Sequence, residues 1–370
     1  MLLKREDSLL NDIFSKIDHE QELSKEDLVC LIALENAADL TRLYNLADRV
    51  RQKYVGDEVH LRGLIEFSNY CRKNCDYCGI RRGNRKIERY RMPIEEILDT
   101  VYEAAELGYR TVVLQSGEDM RYTADNLAEL VRRIKRETDV AVTLSIGERS
   151  REEYERLYEA GADRFLLRFE TSNRELYHRL HPDSDYDERM KILVWLREIG
   201  YQVGSGVMIG LPGQTIEDLA LDILKFKELD LDMVGVGPYI CHEETPLAGH
   251  ANGTVEMTYK VIALTRIVTR YAHIPATTAL ATLRPDDGRE EALQLGANVV
   301  MPNVTPVKYR ALYELYPSKV CIREKATQCR DCIGGRILSL GRPISQGYGH
   351  SLYKKLNALG TAKFPKEDKK

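Results

Sequence analysis

Cys71, Cys75 and Cys78 are the residues of this 370-residue chain whose type and spacing most directly suggest chemistry. They stand in Phe67-Ser68-Asn69-Tyr70-Cys71-Arg72-Lys73-Asn74-Cys75-Asp76-Tyr77-Cys78, a C-x3-C-x2-C triplet. Thiolates are soft ligands suited to iron–sulfur clusters or zinc. A four-iron cluster ordinarily takes four cysteines. Three leave one iron without a protein ligand, as an open position separates a catalytic metal site from a closed structural one. The alternative is a structural zinc site completed from elsewhere, for example by Cys329 and Cys332. That alternative leaves Cys71 and Cys321 unexplained.

Cys321, Cys329 and Cys332 form a second group. Its metal reading is an auxiliary [2Fe–2S] or [4Fe–4S] cluster with one vacancy, and zinc is the alternative. Of the two remaining cysteines, Cys30 reads as a small buried apolar residue. Cys241, followed by His242, reads as structural at the rim of the site.

Composition sets the frame. Hydrophobic residues make up 43% and charged residues 30%, as expected of a folded globular protein. A net charge of −4 gives no global pull toward nucleic acid or anionic lipid. The clearest basic stretch, 81–91, lies beside the first triplet. The first eight residues already carry Lys4, Arg5, Glu6 and Asp7, and no apolar run approaches the ~20 residues of a membrane span. A cytoplasmic location is the expectation, with neither nucleic acid nor membrane as partner, and clustered cysteines in a reducing compartment read as metal ligands.

Residues 1–53 read as a helical extension, with Ser24 and Asp27 as a capping box. From residue 54 short apolar runs alternate with amphipathic segments. Strands are predicted at 59–66, 111–115, 140–145, 164–168, 203–208, 233–236, 275–279 and 298–301. Helices are predicted between them and at 307–315. Glycines 108, 161, 200 and 296 end helices just before strands. Eight strand–helix units require parallel pairing with crossover helices. The fold class is therefore α/β, a (β/α)8 TIM-type barrel over 54–316, with an open doubly wound sheet as the alternative. Residues 317–370 form a C-terminal extension that holds the second triplet and ends in a frayed tail. The first triplet follows the first strand, which in a barrel is the face where active sites lie.

The triplet, with Tyr77 before its last cysteine, resembles the signature of the radical S-adenosylmethionine (SAM) superfamily. Ser116-Gly117-Glu118-Asp119 and the glycine-rich run from Gly204 to Thr215 resemble further superfamily segments. Within the superfamily, the span from Tyr54 to Cys332 resembles the HydE family of [FeFe]-hydrogenase maturases, beside biotin synthase and methylornithine synthase. Ile65 to Asn69, Val113 to Asp119, Leu211 to Thr215, Pro275 to Ala279 and Met301 to Asn303 carry that likeness, extended by Tyr309-Arg310 and Leu315 to Pro317.

The resemblance implies a [4Fe–4S] cluster on Cys71, Cys75 and Cys78 whose open iron chelates SAM. It implies reductive cleavage of SAM to methionine and a 5′-deoxyadenosyl radical. It places Tyr77, Gln115, Ser116, Glu118, Thr143, Ser145, Arg168, Glu170, Arg189 and Met208 about SAM. It assigns Arg62, Arg164, Met233, Thr277, Thr278, Met301, Tyr313 and Tyr316 to a substrate cavity. The implied partners are a small-molecule or organometallic iron substrate, an electron donor such as a ferredoxin or flavodoxin, and other hydrogenase maturases.

Some of these residues also have a plain packing role. Arg164 and Arg168 share a strand face by alternation, Thr277 and Thr278 could be β-branched strand residues, and Met233 and Met301 could be core filler. Phe169 stands where maturases of the family carry histidine, so a lumenal Phe169 would point to a different substrate. Two other functions compete: rearrangement of a small amino acid, as in methylornithine synthase, and a non-catalytic Fe–S carrier. A carrier has no use for Glu118, Glu170 and Arg189 inside a barrel.

Overall fold

The computed structural model describes residues 2–351, with side chains from residue 8 in the first helix. The β-branched runs form parallel strands: β1 (His60–Leu61), β2 (Gly63–Ser68), β3 (Thr111–Ser116), β4 (Ala141–Ser145), β5 (Arg164–Leu166), β6 (Gln202–Ile209), β7 (Met233–Pro238) and β8 (Val299–Val300). β2 to β7 pair in sequence order as one sheet, and β1 pairs with β8. Bridges from Met233 to His273, Pro275 to Val299 and Leu64 to Asn303 carry the hydrogen bonding around the rest of the ring. β1 and β2 follow one another directly through Arg62, and from β2 to β8 helices lie between successive strands, as parallel pairing requires.

The seventh stave departs from expectation. The stretch predicted as a strand over 275–279 makes only the bridges at His273 and Pro275, then starts a helix at Thr278–Leu283. Proline has no N–H for a ladder, and the Thr277 hydroxyl accepts from Leu280 N at 3.4 Å, capping that helix. The helix predicted over 307–315 spans only Val307–Arg310. Besides Thr278–Leu283, two further helices were not anticipated, Arg174–Leu180 and Ala326–Ser339, and the second of these carries Cys329 and Cys332.

The N-terminal extension is three helices, Leu2–Asp18, Lys25–Ile32 and Ala37–Val55. The capping box forms: Ser24 Oγ accepts from Asp27 N at 3.1 Å, and Asp27 Oδ2 accepts from Ser24 N at 2.9 Å. The second and third helices pack on Val255–Thr269, and their leucines join the barrel's outer core.

At the other end, 343–351 is not frayed. It passes beneath the barrel, bridging Ile344 to Val59 and donating from Ser351 N to Gln202 Oε1 at 2.7 Å. The rest of the expected tail lies outside the described residues. No helix among the described residues is long and apolar enough to cross a membrane.

Candidate active site

The three cysteines leave the end of β2 on a loop that is built around polar side chains. Asn69 Nδ2 donates to the carbonyls of Glu88 and Leu312, both at 2.7 Å. Arg89 donates to the carbonyls of Ile80, Arg81 and Asn84 at 2.7–3.0 Å, so the following basic turn folds over the cysteines. Gly117, after β3, lets the two loops touch, since a β-carbon there would lie 2.2 Å from the carbonyl of Tyr70. The next N–H, of Glu118, donates to Cys71 Sγ at 3.3 Å.

Burial raises the pKa of all three thiols, and neighbouring thiolates push Cys75 and Cys78 further; Cys75 reaches about 12. Three thiolates cannot share this loop unless positive charge is placed among them. A multi-iron cluster supplies that charge, so the donor set fits one.

Tyr77 is oriented by a residue the sequence reading missed. Its hydroxyl lies 2.9 Å from His181 Nε2, while His181 Nδ1 lies 2.9 Å from the carbonyl of Tyr177. The carbonyl fixes the ring proton on Nδ1 and leaves Nε2 to accept from Tyr77. Burial holds His181 neutral, with its pKa near 3.

A charged arc faces the cysteines. Glu170 sits at φ +64°, a left-handed conformation that costs a non-glycine residue roughly 1–2 kcal/mol. The neighbouring strand maintains it: Glu170 N donates to the carbonyl of Gly206 at 3.0 Å, and Met208 N donates to that of Glu170 at 3.2 Å. Its buried carboxyl is pushed up by desolvation against the opposing pull of Arg168 and Arg189. Arg168 Nη2 lies 2.9 Å from Glu170 Oε2 and donates to the carbonyl of Val207 at 2.6 Å. Such a carboxylate is poised for a further cation, which an ammonium group would provide.

Arg189 is already engaged. Its Nε and Nη2 meet Glu148 Oε1 at 2.9 and 2.8 Å, and Nη1 donates to the carbonyl of Arg168. Glu148, another residue missed from sequence, also binds Lys73 at 2.5 Å. Its N–H donates to Glu118 Oε2 at 3.0 Å, and Glu118 Oε1 accepts from Arg72 at 2.5 Å. The signal was available: Glu148 follows β4 by three residues, on the active-site face.

Phe169 points away from this arc. It is fully buried against Phe226, with ring centroids 5.8 Å apart, so its departure from histidine falls in the outer core and not in the cavity.

The loop holding Glu170 is braced from behind. Ser172 N donates to Asp222 Oδ1 at 2.5 Å and Asn173 Nδ2 to Asp218 Oδ1 at 2.9 Å. Burial pushes Asp222 up to about 7. Between pH ~4, where an unfolded aspartate titrates, and pH 7, the folded chain keeps a proton the unfolded chain has lost. Stability therefore falls as pH rises through that window and stays lower above it. Asp222→Asn should stabilise the protein by about 4 kcal/mol at pH 8, from about 1.4 kcal/mol per pKa unit. The gain should vanish toward pH 4, which thermal unfolding at the two pH values would show.

Above the arc the barrel mouth holds a cavity of about 370 Å³. The three cysteines, Tyr77, Gln115, Ser116, Glu118, Ser145, Arg168, Glu170, Arg189 and Met208 line one part of it. Met233, Thr277, Thr278, Met301, Tyr313 and Tyr316 line another, although Thr277 and Thr278 arrive from a helix start and not a strand.

Three expected residues are not on its wall. Thr143 lies buried in β4 below Ser145, with no hydrogen bond from its hydroxyl among the described residues. Arg164 opens β5 at the far end of the barrel and donates to the carbonyl of Tyr348 at 2.6 Å and lies 2.9 Å from His350 Nδ1. Four residues of extended chain span about 13 Å, so Arg164 and Arg168 share a face but not a level. Arg62 also belongs to the floor: it reaches the carbonyl of Gly349 at 3.2 Å and Met233 Sδ at 2.8 Å. Two residues missed from sequence, Glu66 and Lys319, do line the cavity, as a buried ion pair.

The second cysteine group lies behind that wall. Cys321, Glu324 and Cys329 bring ligand atoms within 4.8 Å of one another. Cys332, one helical turn beyond Cys329, is exposed and outside this group. A hydrogen bond from Cys329 lowers the Cys321 thiol to about 6 and correspondingly raises Cys329. Cys329 thus pairs with Cys321 and Glu324, not with the first triplet as the shared zinc site would require.

Residues 65–226 match the family model described as the radical SAM superfamily. The chain is 50% identical to the [FeFe] hydrogenase maturase subunit HydE of Thermotoga maritima over 338 residues, which is 91% of this chain and 96% of that protein. It is 32% identical to 3-methylornithine synthase of Methanosarcina acetivorans over 81% of this chain and 85% of that protein. Among solved structures, methylornithine synthase (PylB) superposes with a TM-score of 0.80 at 29% identity, covering 90% of this chain and 98% of that one. The FeFe-hydrogenase maturase HydG from Carboxydothermus hydrogenoformans, at 22% identity, shares the fold with a TM-score of 0.76, over 92% of this chain and 80% of its own. Half-identity along nearly the whole of a relative goes beyond a shared fold: the chain belongs to the radical SAM superfamily and, within it, to the HydE family, enzymes that use a [4Fe–4S] cluster and SAM.

Proposed function

We propose that this radical SAM enzyme acts in the assembly of the [FeFe]-hydrogenase diiron site, on an iron-bound, cysteine-derived small molecule. The observation that carries this reading is the 50% identity to a HydE protein across 96% of its length. Cys71, Cys75 and Cys78 would hold the cluster, and Tyr77, Gln115, Ser116, Glu118, Ser145, Arg168, Glu170, Arg189 and Met208, which line the same cavity, would surround SAM. When bound, the cluster supplies the electron that splits SAM into methionine and a 5′-deoxyadenosyl radical. Glu170 offers its carboxyl group to the ammonium of SAM, while Arg168 and Arg189 oppose the upward push of burial on it. Met233, Met301, Tyr313 and Tyr316 enclose the cavity and exclude water from a radical formed beside it.

The test pairs chemistry with biology. Anaerobically reconstituted protein reduced with dithionite should convert SAM to 5′-deoxyadenosine, and no product from a protein with its cluster intact would sink the enzyme reading. Expression in a strain lacking HydE should restore hydrogenase activity. Turnover of SAM without restoration would favour the second reading, a small amino-acid substrate, which rests on the 32% identity to methylornithine synthase.

The reaction needs an external electron, and the turn folded over the cysteine loop is where it would enter. Arg72, Arg82, Arg85 and Lys86 are exposed there in a chain whose net charge is −4. This face suits an acidic carrier such as a flavodoxin or ferredoxin. Arg85→Glu with Lys86→Glu should slow flavodoxin-driven SAM cleavage about tenfold at low salt, since steering by surface charge is worth that much or more. Dithionite-driven cleavage should be unchanged, and equal loss with both reductants would refute the docking face.

A further inference from the structure

We propose that the second cysteine group positions Lys319 in the wall of the active-site cavity, where its ammonium meets an anionic part of the substrate. The substrate clause rests on the function proposed above; the positioning clause does not.

Lys319 lies two residues before Cys321 in a segment without helix or strand. Its side chain is 8% exposed and pairs with Glu66, itself 1% exposed. Glu66 is fixed from the barrel side, because its Oε2 accepts from Asn303 Nδ2 at 2.8 Å. An ammonium has three donors. Glu66 takes one and the carbonyl of Tyr313, at 3.5 Å, is near a second, so one is left for the cavity that Lys319 lines.

The other side of the same lysine faces a small void shared with Cys321, Cys329 and Arg289. Cys321 holds φ +62°, a left-handed turn that bends the chain back toward the wall. The buried guanidinium of Arg310 clamps that turn, donating to the carbonyls of Thr305 and Glu324, both at 2.5 Å, and approaching Cys329 Sγ at 3.6 Å. Lys319 therefore hangs between a rigid barrel strand and a loop at which Cys321, Glu324 and Cys329 bring their ligand atoms together. A metal on those ligands would fix the loop, and with it the lysine. Glu66 alone could not do so, because it fixes where the ammonium ends and not the backbone that delivers it.

Lysine footprinting on the full chain tests this. Acetylation by an N-hydroxysuccinimide ester, read by mass spectrometry, should modify Lys319 slowly in reconstituted wild-type protein. In Cys321→Ser and Cys329→Ser, Lys319 should react at least threefold faster while Lys73, beside the first triplet, keeps its rate. Glu66→Gln should also release Lys319, showing that the label reports it. Unchanged Lys319 labelling in both cysteine variants overturns the proposal, and so does faster labelling of Lys319 and Lys73 together, which would mean general loosening. With SAM present, millimolar succinate, a dianion with no amine or thiol to consume the ester, should protect Lys319 relative to Lys73 in the wild type and not in Cys329→Ser. Absence of protection in the wild type overturns the substrate clause. Loss of SAM cleavage would instead refute the function proposed above and would leave the labelling result standing.

Discussion

Cys75→Ala is expected to abolish 5′-deoxyadenosine formation, while Cys329→Ala, assayed without added substrate, should lower it less than about threefold. The asymmetry follows from position. Cys75 stands on the loop between β2 and the basic turn, with its thiol in the cavity that Glu170 and Arg189 also line. Two remaining thiolates cannot hold a cluster that ordinarily needs three or four. Cys329 lies behind the wall with Cys321 and Glu324, and it does not line the cavity that Cys75, Glu170 and Arg189 share. Iron and sulfide analysis, run beside product assay by chromatography, separates loss of the cluster from loss of turnover. Equal loss of product in the two variants would contradict the ranking of the two sites.

Glu170→Gln is expected to weaken SAM binding by roughly a hundredfold or more, with the cluster retained. Removing one member of a buried charge pair typically costs about 3–5 kcal/mol, and each 1.4 kcal/mol is about tenfold in affinity. Glutamine keeps the size of the side chain and demands the same left-handed backbone, so the loop between β5 and Arg174–Leu180 should keep its shape. Arg168 would lose its carboxylate partner at 2.9 Å, adding an uncompensated cation to a site that must accept the ammonium of SAM. SAM titration followed by the cluster's electron paramagnetic resonance spectrum measures the effect. An unchanged affinity would remove Glu170 from the binding arc.

Where the sequence reading failed, it failed at contacts made across the fold. Glu148, His181, Glu66 and Lys319 each gain their place from a partner 41 to 253 residues away, and no local pattern carries that information. Arg62 and Arg164 were assigned to the substrate cavity and lie at the floor instead, because strand alternation gives a face and not a height along the barrel. Thr277 kept its place on the cavity wall although its element changed from strand to helix cap, because both put it at the same end of the barrel.

The spacing of Cys71, Cys75 and Cys78, and the rhythm of eight strand–helix units, are local properties written along the chain. They determined a soft-metal site with an open position and an α/β fold of parallel strands, because ligand count and hydrophobic period depend only on neighbours in sequence, while the reaction class came from the resemblance those residues carry. The tertiary structure decided the rest. It turned Phe169 into the outer core, dropped Arg62 and Arg164 to the floor, and separated Cys329 from the first triplet. It also placed Lys319 opposite Glu66. These outcomes depend on which distant segments meet, and closure of the sheet into a ring fixes that for the whole chain at once.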